Sequence, residues 1–229
     1  MTNKINKRQI KFYLFGDSIC FGQLVNTHET WATSLAEELQ ALEDNFFYYL
    51  VQNAGVNGNT TRQALERMQY DVISHKPDYL LIQFGMNDCN YWETDYGIPR
   101  VTKQAFVANL EEIVMRAMSA GVKHCFINTN HPSLKGKFNF TVNKSYDESN
   151  AEYNDQIRMA YANLLDKGYP VTLFDIELGW KKIMQINPDI RLNDLLLSDG
   201  IHLSRQGHLL YKSVINDALV EVLKNDQAL

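Results

Sequence analysis

Five short apolar runs alternate with segments of helical periodicity, and this alternation is the feature that most constrains the fold of the chain. The runs are Phe12–Phe15, Phe46–Val51, Tyr79–Phe84, His124–Thr129 and Val171–Phe174. Tyr79–Phe84 is almost uniformly apolar, which is typical of a strand buried on both faces. Strands that alternate with helices favour a parallel sheet, in which each crossover is a helix packed on the sheet. The sequence therefore predicts an α/β fold with one five-stranded parallel sheet and helices on both of its faces.

The segments between the runs carry apolar residues at helical spacing. The first three helices are predicted from Trp31 to Leu42 with Thr30 as N-cap, from Thr60 or Thr61 to a point before Pro77, and from Lys103 towards Gly121. Two more are predicted from about Ala151 to Gly168 and from Leu178 to Ile186. A last helix is predicted at the end of the chain, where the apolar positions run from Leu209 to Val222. The segment Asn130–Asn150 shows no clear period, and we expect it to form a mobile lid or rim.

The charge distribution and the hydropathy argue against two classes of partner. The formal net charge is -5 and no run rich in Lys or Arg occurs, so a nucleic-acid partner is not expected. No stretch approaches the roughly 20 apolar residues that span a bilayer, and the apolar run after the basic N-terminal residues is too short for a signal sequence. We therefore expect a cytoplasmic protein without a membrane span. The length of 229 residues suits a single domain over residues 1–229.

The three cysteines, Cys20, Cys89 and Cys125, lie beside predicted strands and show no CxxC spacing. Their odd number and their spacing do not favour a disulfide framework or a zinc site. We interpret them as small buried thiols.

Polar turns follow two of the apolar runs. Gly16-Asp17-Ser18 ends the first run, and Gly85-Met-Asn87-Asp88 ends the third. Ligand crevices of open α/β sheets lie at the carboxyl ends of the strands. Ser18 and Asn87 are therefore expected at one edge of the sheet, together with a late loop, Asp199-Gly-Ile-His202.

These turns hold the residue types that acyl transfer by a serine requires. A serine attacks only when a base takes its proton, and a histidine serves best as that base when a carboxylate fixes its tautomer. Ser18, His202 and Asp199 can fill these three roles. The short spacing from Asp199 to His202 allows one turn to hold both side chains, and Gly200 makes that turn sterically easy.

The oxyanion that develops during acyl transfer also needs converging hydrogen-bond donors. The candidate donors are the backbone N–H of Ser18, the backbone N–H of Gly55 and the side-chain amide of Asn87. Asp17 and Asp88 are interpreted as structural residues that orient their turns by accepting hydrogen bonds from nearby backbone N–H groups.

Two alternatives remain open from the residues alone. His131 is a rival base because it follows the fourth strand, although no carboxylate lies just downstream of it. The aromatic side chains of Tyr91, Trp92 and Tyr96 either wall an acyl or sugar pocket or pack in the core.

Four short blocks of the chain resemble, in order and spread, those of the SGNH (GDSL-like) hydrolase family. The blocks are Gly16-Asp17-Ser18-Ile19, Asn53-Ala-Gly55, Gly85-Met-Asn87-Asp88 and Asp199-Gly-Ile-His202. The resemblance runs from about Lys11 to Tyr211. It implies a flavodoxin-like three-layer α/β/α sandwich and an esterase or deacylase activity with no metal or organic cofactor. It also implies that Ser18 is the nucleophile, His202 the base and Asp199 its partner, with Ser18, Gly55 and Asn87 as the oxyanion hole.

The departures from the family pattern are small. Ile19 stands where many members have leucine, and this change is expected to be neutral because the side chain packs rather than reacts. The segments around Trp92 and from Asn130 to Asn150 match no motif, which leaves the choice of substrate open. The expected substrates are small-molecule acyl esters, with O-acetyl groups on carbohydrates first and lysophospholipids or thioesters second. An O-acyltransferase that uses the same residues and a non-catalytic ligand binder are the other classes considered.

Overall fold

The computed structural model of the chain describes residues 7–136 and 142–227. Its strands are β1 (Arg8–Gly16), β2 (Phe47–Gly55), β3 (Tyr79–Gln83), β4 (His124–Asn128) and β5 (Val171–Phe174). They form one five-stranded sheet in the order β2-β1-β3-β4-β5, and every neighbouring pair is parallel. The predicted sheet is confirmed.

Helices cover both faces of this sheet. They are α1 (Ser18–Phe21), α2 (Trp31–Ala41), α3 (Thr61–Asp71), α4 (Lys103–Ser119), α5 (Tyr146–Asp166), α6 (Ile176–Ile186), α7 (Leu192–Leu195) and α8 (Arg205–Gln227), with short 3₁₀ helices at Thr27–Glu29, Ile73–His75 and Glu93–Asp95. Helices α2, α6 and α7 contact α8, whereas α4 contacts α3 and α5. Right-handed crossovers place α2 on one face and α3, α4 and α5 on the other, because the strand order reverses at β1. The three-layer α/β/α architecture is therefore confirmed.

No helix among the described residues is both long enough and apolar enough to cross a membrane.

Hydroxyl side chains set the starts of the helices. The Thr30 hydroxyl accepts a hydrogen bond from the N–H of Thr33, as predicted for an N-cap. Thr60 forms a capping box with Gln63 at the start of α3, and Ser145 forms one with Glu148 at the start of α5. These caps satisfy backbone N–H groups that the first helical turn leaves without a partner.

The strand β2 is longer than the sequence predicts. The predicted strand ended at Val51 and a loop began at Gln52, but each residue from Phe47 to Gly55 is in register with a residue of β1 from Arg8 to Gly16. Gln52 and Asn53 are exposed, which suits an edge strand. Pairing with β1 thus overrides the weak strand propensity of these polar residues.

Two helices begin earlier than predicted. Helix α5 starts at Tyr146 rather than near Ala151, because Ser145 caps it, and α6 starts at Ile176 rather than Leu178, because the Asp175 carboxylate accepts from the N–H of Leu178. Part of the predicted lid or rim, residues 137–141, lies outside the described residues. Of the described part, residues 130–133 are buried and residues 146–150 belong to α5, so these stretches are not a lid.

Gly16 ends the central part of the sheet at the point where the chain turns into α1. It is in register with Gly55 on one side and with Gln83 on the other. A Cβ atom at Gly16 would lie 2.5 Å from the Cβ of Cys20 and 2.6 Å from the carbonyl oxygen of Gln83. Only glycine therefore allows α1 to begin this close to the end of β1.

We expect Gly16→Ala to lower the free energy of unfolding by about 1–3 kcal/mol, because the added methyl group overpacks a rigid site. Gly136→Ala is the matched control, since no atom of the described residues outside its chain neighbours lies within 4 Å of the Cβ position there. Urea denaturation of both variants measures the difference. Equal stability of the two variants would contradict the steric argument.

Candidate active site

Ser18 lies at the start of α1, directly after β1, at the edge of the sheet where the prediction put it. The sheet order reverses between β1 and β3, and such a switch point opens a crevice at the carboxyl ends of the strands. The Asp17 carboxylate caps the helix by accepting from the N–H of Ile19 at 2.9 Å. The N–H of Ser18 has no hydrogen-bond partner among the described residues, so it is available to a ligand.

The structure brings Ser18, His202 and Asp199 into one hydrogen-bonded chain. The Oγ atom of Ser18 lies 2.9 Å from Nε2 of His202, and Nδ1 of His202 lies 2.5 Å from Oδ2 of Asp199. The carboxylate acceptor fixes the proton of the neutral imidazole on Nδ1, so Nε2 is free to accept the proton of the serine hydroxyl. Ser18 and His202 therefore meet although they are 184 positions apart in sequence. Together with Asp199 they have the geometry of a nucleophile, a base and an orienting carboxylate.

The loop that carries Asp199 and His202 is held by its own hydrogen bonds. Oδ1 of Asp199 accepts from the N–H groups of Ile201 and His202, both at 2.9 Å. Gly200 adopts a φ of 71°, a left-handed conformation that glycine adopts without strain. Burial alone would raise the pKa of Asp199, but the hydrogen bonds from His202 and from the two N–H groups outweigh it and hold the pKa below its ordinary value. The carboxylate therefore stays ionised beside the imidazole.

The described residues after β4 support this loop. Nε2 of His131 lies 2.8 Å from the carbonyl oxygen of Ile201, and the N–H of Leu134 donates to the carbonyl oxygen of Gly200 at 2.8 Å. Helix α5 in turn holds the segment, because Asn154 exchanges two hydrogen bonds with the backbone of Asn130. Residues of the segment that was expected to form a lid therefore hold the backbone next to His202 in place.

His131 is not the base that the sequence left open as a rival. Its Nε2 atom donates to the Ile201 carbonyl, and its ring lies against Trp180 at a centroid distance of 5.2 Å. Burial lowers the pKa of His131 to about 4, so the ring is neutral. The contact with Ser18 is made by His202 instead.

The side chain of Asn87 is held at both ends. Its Nδ2 atom donates to Oδ2 of Asp17 at 3.3 Å, and its Oδ1 atom accepts from Nη1 of Arg100 at 3.4 Å. One amide hydrogen of Asn87 is therefore left for a ligand. Arg100 was not singled out from the sequence, because no local pattern links it to Asn87.

Gly55 and Gly58 differ in a way that the sequence did not reveal. The N–H of Gly55 donates to Oδ1 of Asn53 at 2.9 Å, and a Cβ atom there would lie 2.5 Å from the backbone nitrogen of Phe21. Gly55 is thus needed for close packing of β2 against α1, and its N–H is already engaged. The N–H of Gly58 has no partner among the described residues, and its carbonyl oxygen accepts from Nη2 of Arg100 at 3.1 Å.

Asp17 and Asp88 are both buried. Asp17 orients its own turn as predicted, whereas Asp88 ties the turn after β3 to the start of α3. Asp88 accepts from the N–H of Thr61 at 2.9 Å and from its hydroxyl at 2.5 Å. Burial raises the pKa of Asp17 to about 7 and the pKa of Asp88 to about 6, although hydrogen bonds to both groups oppose the shift.

The three cysteines are free and buried, as predicted. Burial raises the pKa of each thiol, which makes them poor nucleophiles. Among residues 7–136 and 142–227, no group of three or more His, Cys, Asp or Glu side chains is placed to hold a metal ion.

The fold and the site place the chain among flavodoxin-like α/β proteins with a serine, a histidine and an aspartate joined by hydrogen bonds at the carboxyl edge of the sheet. Residues 14–210 match the GDSL-like Lipase/Acylhydrolase family. The chain belongs to that family, and the resemblance found in the sequence is confirmed.

Two curated proteins and one solved structure illustrate the similarity of this chain to known proteins. The uncharacterised lipoprotein YqeF of Bacillus subtilis is 42% identical over 73 residues, which are 32% of this chain and 29% of YqeF. An acetylxylan esterase of Geobacillus stearothermophilus is 34% identical over 68 residues, which are 30% of each chain. The crystal structure of Axe2, an acetylxylan esterase from the same organism, has a TM-score of 0.68 at 20% identity and covers 93% of this chain and 94% of Axe2.

The chain thus spans less than a third of the length of these two curated relatives. The likeness to Axe2 supports the fold. The cytoplasmic location and the single domain expected from the sequence stay predictions.

The raised pKa of Asp17 predicts a dependence of stability on pH. The unfolded carboxyl titrates near 3.8 and the native one near 7, so between these values the native state binds more protons. Asp17 therefore contributes a fall in the free energy of unfolding as the pH rises from about 4 to about 7. In Asp17→Asn this contribution is absent, so the variant should gain stability relative to the unmodified protein across the same window, by up to about 1.4 kcal/mol for each pKa unit.

Urea denaturation at several pH values measures this difference. Asp217→Asn, which changes an exposed carboxylate on α8, is the matched control and should follow the unmodified protein. Parallel stability curves for Asp17→Asn and the unmodified protein would contradict the effect of burial.

Proposed function

We propose that this protein is a carboxylic ester hydrolase with a Ser-His-Asp triad, in which Ser18 is the nucleophile, His202 the general base and Asp199 the residue that orients His202. The observation that supports this proposal is the chain of two hydrogen bonds from Ser18 through His202 to Asp199. Membership in the GDSL-like Lipase/Acylhydrolase family supports the same reaction class.

The reaction proceeds in two acyl-transfer steps. Oγ of Ser18 attacks the ester carbonyl while Nε2 of His202 takes its proton, and the imidazolium then returns that proton to the leaving alcohol as the C–O bond breaks. The product is an acyl ester of Ser18. Water then attacks this ester with His202 again as base, and the acid leaves as Ser18 recovers its proton.

Asp199 stabilises the imidazolium that forms in both steps. Its pKa lies below the ordinary value, so it remains a carboxylate while His202 gains a proton. It also holds the ring in the tautomer that presents Nε2 to Ser18.

The oxyanion is stabilised by the N–H of Ser18, the side-chain amide of Asn87 and a backbone N–H of the loop after β2. For this third donor the proposal takes Gly58 in place of the Gly55 suggested by the sequence resemblance. The supporting observation is that the Gly55 N–H already donates to Asn53, whereas the Gly58 N–H has no partner among the described residues. Arg100 further supports this choice, because it bonds both Asn87 and Gly58.

The proposed substrates are small O-acyl esters, above all O-acetyl groups on carbohydrates. The similarity to an acetylxylan esterase supports this choice. A panel of esters tests this substrate choice. It contains acetylated pyranosides, p-nitrophenyl esters of graded chain length, a lysophospholipid and an acyl thioester. Preference for the lysophospholipid or the thioester would favour the second substrate class, and formation of new sugar esters with added acceptors would identify an acyltransferase.

We expect Ser18→Ala and His202→Ala each to lower kcat for p-nitrophenyl acetate by several orders of magnitude, because each removes a member of a unit that acts together. His28→Ala, which changes an exposed histidine, is the matched control and should retain activity. A fluorophosphonate probe should label the unmodified protein at Ser18, as located by mass spectrometry. Unchanged turnover in Ser18→Ala would refute the mechanism.

Asn87→Ala should lower kcat by about 10²–10³ with a smaller effect on KM, because an oxyanion donor acts in the transition state more than in the ground state. Steady-state kinetics with p-nitrophenyl acetate measure both constants. Circular dichroism and thermal unfolding check that the variant is folded. A loss confined to KM would argue against Asn87 as an oxyanion donor.

A further inference from the structure

A cavity of about 550 Å³ lies between the start of α3 and the segment from Trp92 to Thr102. Trp92, Tyr96 and Ile98 form its apolar part, and Gln63, Thr94 and Asp95 lie among its polar lining residues. Arg100 also lines it, and the same guanidinium bonds Asn87 and Gly58. The Arg100 side chain therefore links the cavity to two residues of the proposed oxyanion hole.

Trp92 and Tyr96 expose their rings in this cavity, and Trp92 differs in this respect from the other two tryptophans of the chain. Trp92 is 51% exposed and Tyr96 is 86% exposed, whereas Trp31 and Trp180 are fully buried. Core packing, the alternative that the sequence left open for Trp92 and Tyr96, is therefore wrong. Trp92 and Tyr96 line the same cavity, so one ligand can cover the exposed surface of both rings.

The guanidinium of Arg100 fixes the ring of Trp92. Its Cζ atom lies 4.4 Å from the ring centroid, which is the distance of a cation–π contact. Arg100 makes no ion pair among the described residues, and the atoms it bonds are the neutral oxygens of Asn87 and Gly58. The indole is thereby held in one orientation relative to the proposed oxyanion donors, with about half of its surface left to a ligand.

We propose that this cavity binds the sugar ring of an O-acylated carbohydrate, with the ring stacked on Trp92 while its acyl group reaches Ser18. This inference rests on the proposed function. A pyranose has a flat C–H face that suits an indole and a rim of hydroxyl groups that suits amide, hydroxyl and carboxylate partners. The lining offers both kinds of group, because Trp92 lies beside Gln63, Thr94 and Asp95.

The polar part of the lining also argues against a long acyl chain as the occupant. A hydrocarbon chain would desolvate the Asp95 carboxylate and the Arg62 guanidinium without giving either a partner. A sugar can exchange hydrogen bonds with both groups. The chemistry of the cavity therefore favours the alcohol part of the ester over its acyl part.

The first test compares Trp92→Ala with Tyr70→Ala. Tyr70 is 78% exposed on α3 and lies outside the cavity lining, so it is a matched control for the loss of a surface aromatic ring. We expect Trp92→Ala to lower the ratio of kcat/KM for a fully acetylated methyl xylopyranoside to kcat/KM for p-nitrophenyl acetate by about tenfold, mainly through KM for the sugar ester. Tyr70→Ala should leave that ratio unchanged.

The second test measures binding without turnover, in the Ser18→Ala background. Among the three tryptophans, Trp92 is the one that is open to solvent, so acrylamide should quench its fluorescence selectively. The acetylated xylopyranoside should protect this fluorescence, and Trp92→Phe should remove both the quenching and the protection.

The outcomes separate the two proposals. Absence of hydrolysis in the unmodified protein, or full activity in Ser18→Ala, would refute the proposed function and leave the binding measurement to decide on the cavity. An unchanged kcat/KM ratio in Trp92→Ala, with Trp92 still quenched in the presence of the sugar ester, would overturn the sugar site. A change in acyl-chain preference in Trp92→Ala, with no change in that ratio, would assign the cavity to the acyl group and would also overturn it.

Discussion

The position of β1 between β2 and β3 is the constraint on which the rest of the site depends. Gly16 is in register with Gly55 on one side and with Gln83 on the other, so three strands end at the same level. The loops that follow them carry Ser18, Gly58 and Asn87. Because the strands are parallel, these loops lie at one edge of the sheet, and the reversal of the strand order at β1 opens a crevice there.

Buried polar side chains hold the loops at this edge, where an apolar core could not specify their positions. Arg67 donates to the carbonyl oxygens of Gly16 at 2.9 Å and of Ala54 at 2.8 Å, and its guanidinium lies over the ring of Phe15. The buried Gln83 amide accepts from the N–H of Cys20 at 3.0 Å, which fastens α1 to β3. Burial of such groups costs free energy unless each finds a partner. These partners lie far apart in sequence, so the polar contacts favour this one arrangement of the loops.

The sequence predicts the elements whose signals are local and misses those whose signals are distant. The strands are predictable from their runs of apolar residues. The two helices that begin after Thr30 and Thr60 are predictable from the spacing of their apolar residues and from these N-cap threonines. The grouping of Ser18, His202 and Asp199 is predictable from the sequence because four short motifs occur in the order known for one family. By contrast, the sequence does not show that the N–H of Gly55 donates to the side chain of Asn53. Nor does it show that glycine is needed at this position because β2 packs closely against α1. The support of His202 by the segment after β4 likewise depends on contacts with α5 that no period reveals.

The three histidines closest to the site in the fold show how environment assigns different roles to one residue type. Burial lowers the pKa of both His131 and His208 to about 4, so both rings stay neutral near neutral pH. Nε2 of His131 donates to the Ile201 carbonyl, and Nδ1 of His208 accepts from the N–H of Trp31 at 3.2 Å, so both neutral rings carry their proton on Nε2. His202 instead lies in a part-exposed loop beside an ionised Asp199, which stabilises an added proton. A charge on either buried ring would oppose that proton, so their neutrality leaves His202 as the site at which the base of the proposed reaction can act.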